Sequence, residues 1–136
     1  MRGMIFSILK TVLAPVRWVM SALILIFDRT FVPRQVERSP EKQEQLDLGT
    51  RRLALYQMET CPFCVKVRRH VQRLGLKIEM RDVKRNREFN KELVREGGQF
   101  QVPCLRIEQE DGSVRWLYES DEINAYLNEL IHEVRK

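Results

Sequence analysis

Cysteine is scarce in this chain of 136 residues, with three copies at positions 61, 64 and 104. Three are too few for a disulfide scaffold, and the odd count leaves one unpaired, which favours a reducing compartment. Histidine is scarcer still: only His70 and His132 are present. Neither has the paired spacing of a second zinc knuckle, so no metal is expected. No internal repeat is visible. No nucleic-acid motif accompanies the net charge of +5, which equally suits anionic small molecules or anionic lipid. Nucleic acid is therefore not an expected partner. The longest uncharged apolar run, Trp18 to Phe27, has ten residues. An unambiguous membrane span needs roughly 18–20.

What the N-terminus does have is a long, mostly apolar segment, Met4 to Phe27, interrupted by Lys10, Pro15 and Arg17. Arg17 can snorkel to an interface, with Trp18 beside it. A transmembrane anchor, a helix lying in the interface, a secretory signal and a soluble docked helix are the alternatives. Asp28-Arg29-Thr30-Phe31 offers no small-residue cleavage site, which counts against the signal. The expectation is a hydrophobic anchor helix within residues 1–30, contacting membrane through residues 4–27. Arg2 and Lys10 precede the segment, and Arg29, Arg34, Arg38 and Lys42 follow it. That balance places the C-terminal part on the cytoplasmic side, at the inner or cytoplasmic membrane in a bacterial cell.

The chemistry concentrates at Cys61-Pro62-Phe63-Cys64. The strand-like run Leu53-Ala54-Leu55-Tyr56 precedes it, and Val67, Val71 and Leu74 follow at helical spacing. Cys61 thus stands at a helix mouth, where N–H groups lack intrahelical partners and the dipole is positive. Pro62 suits the first helical position. Such a site favours thiolate: a free thiol of pKa about 8.5 is about 3% ionised at pH 7, one of pKa about 7 is half ionised. A lowered pKa helps most when the sulfur must leave a mixed disulfide. Cys64, one turn on, is near enough to close a disulfide. A structural disulfide here would remove little unfolded-state entropy. The pair reads as redox-active.

Around that stretch the chain divides into a linker with a short helix over 31–50 and a domain over 51–136. Ser39-Pro40-Glu41 starts the short helix and Gly49 ends it. The domain reads as strand 53–57, helix 62–74 stopped by Gly75, and strand 77–83 with Ile78 and Met80 inward. A helix over 88–96 follows, with Phe89, Leu93 and Val94 inward. Strand 103–107 and returning strand 114–118 flank a turn at Glu110-Asp111-Gly112-Ser113. A last helix is capped by Ser120, its core face Ile123, Tyr126, Leu127, Leu130, Ile131 and Val134.

Taken together, these features resemble a glutaredoxin, within the thioredoxin-like superfamily. Cys61-Pro62-Phe63-Cys64 resembles that family's Cys-Pro-Tyr-Cys. Val102-Pro103 stands where the family has its cis-proline. Glu119-Ser120-Asp121 resembles the family's glutathione-binding turn, and the Glu-Ser motif of the glutathione transferase N-terminal domain. The resemblance covers about residues 52–132. It implies an α/β, thioredoxin-like fold: a four-stranded mixed sheet flanked by helices, with the hydrophobic helix added. It further implies an enzyme, a glutathione-dependent thiol–disulfide oxidoreductase acting on protein disulfides or glutathionylated proteins, with glutathione as co-substrate. Cys61 would be the nucleophile and Cys64 the resolving thiol. Phe63, Gln99, Val102, Pro103, Glu119, Ser120 and Asp121 would line the glutathione site. A glutathione or iron–sulfur carrier, a transferase-like module and a zinc-stabilised adaptor are the other readings. The chain departs from the family where a lysine often precedes the first cysteine. Gln57, Met58 and Glu59 stand there instead, and Glu59 would oppose a thiolate. Cys104, directly after Pro103, is either a buried small residue or a third redox thiol.

Overall fold

A computed structural model describes residues 2–135, with side chains from Thr11 onward. The chain forms two compact units that divide after Phe31. The first is one helix, α1 (Arg2–Thr30), with Pro15 inside it. Within it Thr11–Thr30 is 20 residues long with mean hydropathy 1.6, and none of it is buried. The part of the expected membrane segment before Thr11 lies outside the described side chains.

The second unit runs α2 (Pro40–Thr50), β1 (Leu53–Gln57), α3 (Pro62–Leu74), β2 (Glu79–Asp82), α4 (Arg87–Gly97), β3 (Cys104–Glu108), β4 (Val114–Tyr118) and α5 (Ser120–Arg135). The strands form one sheet in the order β2-β1-β3-β4. β1 pairs parallel with β2 and antiparallel with β3, and β3 pairs antiparallel with β4. This is the thioredoxin-like arrangement. β1 is buried along its whole length, as a central strand covered on both faces must be.

Side chains alternate between the two faces of the sheet. Leu53, Leu55, Leu105 and Ile107 join Val67 and Val71 of α3 and Ile123, Leu127 and Ile131 of α5 in the main core. Every residue expected on the inner face of α5 lies in or against that core. Tyr56 and Cys104 point the other way, into a second cluster with Leu93 of α4, and Phe89, Trp116 and Tyr118 pack against it. There Arg81 lies over the rings of Tyr56 and Phe89, at 5.4 and 5.5 Å from their centroids. Its Nη1 donates to Tyr56 Oη and Glu92 Oε1, both at 2.7 Å.

Two inward assignments need correction. Met80 and Val94 are exposed. β2 is an edge strand that only partly faces a helix, and α4 spends its short apolar stripe on Phe89 and Leu93. The short helix α2 runs one residue past Gly49, and Ser39 makes no side-chain cap bond. Its Leu46 is 1% exposed and sits in the main core. Residues 31–50, expected as a linker with a short helix, mostly belong to the compact unit, which begins at Val32. The reason lies at the end of α3. Gly75 closes that helix at φ +67, with its N–H on Gln72 O. The remaining carbonyls are met from residues 36–43: Val36 N–H donates to Arg73 O at 2.9 Å, Arg38 Nη1 to Leu74 O, and Gln43 Nε2 to Gly75 O at 2.8 Å. The segment supplies the partners a helix C-terminus lacks, and places a cation at its negative pole.

Candidate active site

Cys61 is the N-cap of α3, in extended conformation, with Pro62 behind it at the first helical position. Its carbonyl accepts from Val65 N–H at 2.9 Å, so the helix begins directly at this sulfur-bearing residue. Cys61 is partly exposed and Cys64 is buried; both are free thiols. Burial, above all, pushes the Cys64 thiol up to about 12, helped by its hydrogen bond to Cys61 and that neighbour's charge. The Met58 backbone N–H and Arg68 pull the other way. The pair is therefore asymmetric: one sulfur meets solvent, and the other stays protonated beneath it.

The loop that delivers Cys61 is held by Arg68, one of the residues sequence reasoning missed. Its Nη1 donates to Gln57 Oε1 at 2.5 Å and to Met58 O at 3.2 Å, and its Nη2 donates to Glu59 O at 2.9 Å. A planar fork reaches three acceptors that an ammonium could not span together. In sequence Arg68 showed only as positive charge following the cysteines, with no direction for its side chain; the acceptors are mostly backbone and carry no sequence signal. Glu59, expected to oppose a thiolate, has its carboxylate paired with Arg85. A concavity of about 330 Å³ lined by Glu59, Thr60, Asp82, Lys84 and Arg85 flanks this loop.

The Val102–Pro103 bond is cis, as expected from its position in the chain. Val102 precedes the β3 ladder, which begins at Cys104. Cys104 is fully buried and faces the second cluster, on the side of the sheet away from α3. Burial pushes its thiol up to about 12, and only a hydrogen bond with Tyr118 opposes this. It is a packed residue behind the site. Tyr118 Oη in turn donates to Gly97 O at 2.8 Å, at the end of α4. A Cβ on Gly97 would stand 2.7 Å from that hydroxyl.

The third motif begins at Glu119, a non-glycine residue with φ +70. Its carbonyl accepts from Ile123 N–H at 3.0 Å, and buried Ser120 opens α5. The exposed Asp121 carboxylate is paired with Lys66 of α3. Glu119 Oε1 accepts from Gln101 Nε2 at 2.9 Å, and Gln101 Oε1 from Gln99 Nε2 at 3.3 Å. Polar contacts thus run from α3 through Asp121 and Glu119 to the loop that carries the cis bond. Gln99 is engaged in this chain, and Phe63 stands exposed near the start of α3. Lys66 and Gln101 are the links that sequence reasoning did not single out. Lys66 had one available signal, since it lies one helical turn after Phe63 on the same stripe. Among the described residues, no group of three or more His, Cys, Asp or Glu side chains is placed to hold a metal.

Residues 53–111 match the glutaredoxin family model. This segment is a glutaredoxin domain. Cys61, Cys64 and Pro103 lie inside the matched residues, and Glu119, Ser120 and Asp121 lie beyond them. The chemistry that goes with the glutaredoxin domain is thiol redox. Among solved structures, a wheat glutaredoxin is similar at 21% identity and TM-score 0.48, over 69% of this chain and 93% of that one. The alkylhydroperoxide reductase AhpF of Enterococcus faecalis is similar at 20% identity and TM-score 0.44, over 84% of this chain and 53% of that one. A domain structure of the same reductase gives 22% identity and TM-score 0.40, over 82% of this chain and again 53% of that one. The chain spans about half the length of these last two. No curated protein matches the chain.

Proposed function

We propose that this chain is a membrane-anchored, glutathione-dependent thiol–disulfide oxidoreductase. The observation that carries the reading is the asymmetry of its cysteine pair, an accessible sulfur at a helix N-terminus over a buried, protonated one. The Cys61 thiolate attacks the glutathione sulfur of a mixed disulfide, and the target protein's thiolate leaves. A second glutathione thiolate then attacks the sulfur bound to Cys61. This releases the Cys61 thiolate and forms glutathione disulfide. Neither step uses Cys64. For a protein disulfide, Cys64 must instead lose its proton and attack Cys61. The part of its raised pKa that comes from the Cys61 charge disappears once Cys61 is in a disulfide, and the part from burial remains.

The tripeptide carries carboxylates at both ends and an ammonium at one. Asp121 is placed to take the ammonium, and the first turn of α5 at Ser120 to take the neighbouring carboxylate. Lys66, already paired with Asp121, offers a second cation to that end of the ligand. Val102 would offer its backbone to the central residue, with Gln99 and Phe63 as the further contacts. Asp121 and Lys66 together match the opposite charges of an α-amino acid group. Thr11–Thr30 supports the anchoring: 20 helical residues rise about 30 Å, the thickness of a bilayer core.

Mass spectrometry of the full chain after addition of oxidised glutathione tests the assignment. One glutathione is expected on Cys61 in Cys64→Ser, where no resolving thiol can release it, and none in Cys61→Ser. Cys64→Ser is expected to keep deglutathionylating activity while losing reduction of protein disulfides. Absence of the adduct, or loss of both activities in Cys64→Ser, would overturn the assigned roles.

A further inference from the structure

A second polar concavity lies at the opposite end of α3 from the cysteines. It has a volume of about 280 Å³, at the small end of the roughly 300–1,000 Å³ common for ligand sites. Its apolar lining is Val36, Leu46, Ile131 and Val134, and its charged lining is Arg38, Lys42 and Arg135 against a single acid, Glu37. Among the described residues no ion pair joins these three cations to a carboxylate. Arg38 spends Nη1 on Leu74 O, while its Nη2 is buried with no hydrogen-bond partner. Its guanidinium is held below its ordinary range by burial first and by the charge of Arg135 second. Cations pressed together at the rim of an apolar hollow, one with a buried unused donor, are what a multiply accepting anion would relieve.

We infer that this pocket binds a phosphate ester, seated among Arg38, Lys42 and Arg135. The charged oxygens of a phosphate ester, two in a diester and three in a monoester, can each accept from more than one of these cations. The apolar floor suits the carbon side of the ester. Val36 follows Thr30, the end of α1, by only six positions in the chain. An anionic phospholipid headgroup is then the source nearest to hand, and this part of the inference rests on the proposed anchoring. The site would fix the domain's attitude on a bilayer while leaving the cysteines, at the other end of α3, uncovered.

The full chain in neutral detergent is examined by native mass spectrometry with dioleoylphosphatidylglycerol, and by thermal melting with inorganic phosphate. The wild type is expected to retain one phosphatidylglycerol per chain. Apparent affinity should fall about five- to tenfold in Lys42→Gln and in Arg135→Gln, neither of which carries a backbone contact of the fold. Arg34→Gln, which adds the same charge change outside the pocket, should leave it unchanged. Protection by inorganic phosphate with the same variant pattern, but no retained lipid, keeps the pocket and assigns it free phosphate esters. Equal losses in Arg34→Gln would reduce the effect to diffuse attraction and overturn the site, as would binding of neither probe. Flotation of the chain with purely phosphatidylcholine vesicles tests the anchor alone. Failure there removes the anchoring without touching the phosphate result.

Discussion

The redox pair is tuned by a side chain that lies outside it. Arg68 clamps the backbone ahead of Cys61 and sets a positive charge beside the pair. In Arg68→Gln both contributions go. Reduction of a protein disulfide, which needs Cys64 to lose its proton, is expected to slow about three- to tenfold, since Arg68 favours that thiolate. Arg68→Lys keeps charge without the fork and should recover part of that rate. A purely structural role for Arg68 would lower the urea midpoint in both variants and leave the relative rates equal. At this scale the sequence was informative where a residue type is tied to one position: the cysteines, Pro103 at the cis bond, Ser120 heading a helix. It gave Arg68 only as a charge without direction and was silent about Gln101, and the value of both depends on acceptors brought near by the fold. Cys104 showed two readings in the sequence because adjacency in the chain does not reveal which face of a strand a side chain takes.

Among the elements, α2 and the segment before it hold the largest difference between expectation and structure. Phe31 to Ser39 reads as a linker and α2 as a helix packing on the domain edge, yet Leu46 enters the main core and residues 36–43 close the carbonyl end of α3. Leu46→Ala in the full chain is expected to cost about 2–5 kcal/mol, the range for emptying a packed leucine site. Urea unfolding followed by tryptophan fluorescence measures it, and a loss under about 0.5 kcal/mol would return α2 to the status of a surface appendage. α3 was legible to the residue, because its apolar stripe repeats over three turns and ends at glycine; the core face of α5 was equally legible, but the helix takes in Ser120, expected as its cap, and Glu119 accepts the first helical bond. The inward faces of β2 and α4 were less so. Each is short, and an edge strand or a three-turn helix can keep its pattern while its neighbours cover only half of it.

Across the whole molecule, the buried thiols make stability depend on alkali. Cys64 and Cys104 are pushed up to about 12, and Tyr118 likewise, with burial the leading cause for all three. Unfolded cysteine ionises near 8.5 and tyrosine near 10. Between those values and 12 the native state holds more protons than the unfolded state, so unfolding free energy falls as pH rises. The stabilisation is complete below about pH 8 and drains away above it. Urea midpoints at pH 7, 8.5 and 10 should decline in that order. Cys104→Ala should decline less steeply, whatever its starting value; an unchanged slope would mean Cys104 ionises alike in both states.

One gap in the packing has reach beyond its size. Gly97 lets the end of α4 lie against Tyr118, and the chain leaves that point directly into Gln99, Gln101 and Val102. The stance of the residues proposed to meet glutathione therefore depends on the rear of the sheet. A methyl group at position 97 would have to displace the Tyr118 hydroxyl, disturbing that stretch without altering one atom proposed to touch the tripeptide.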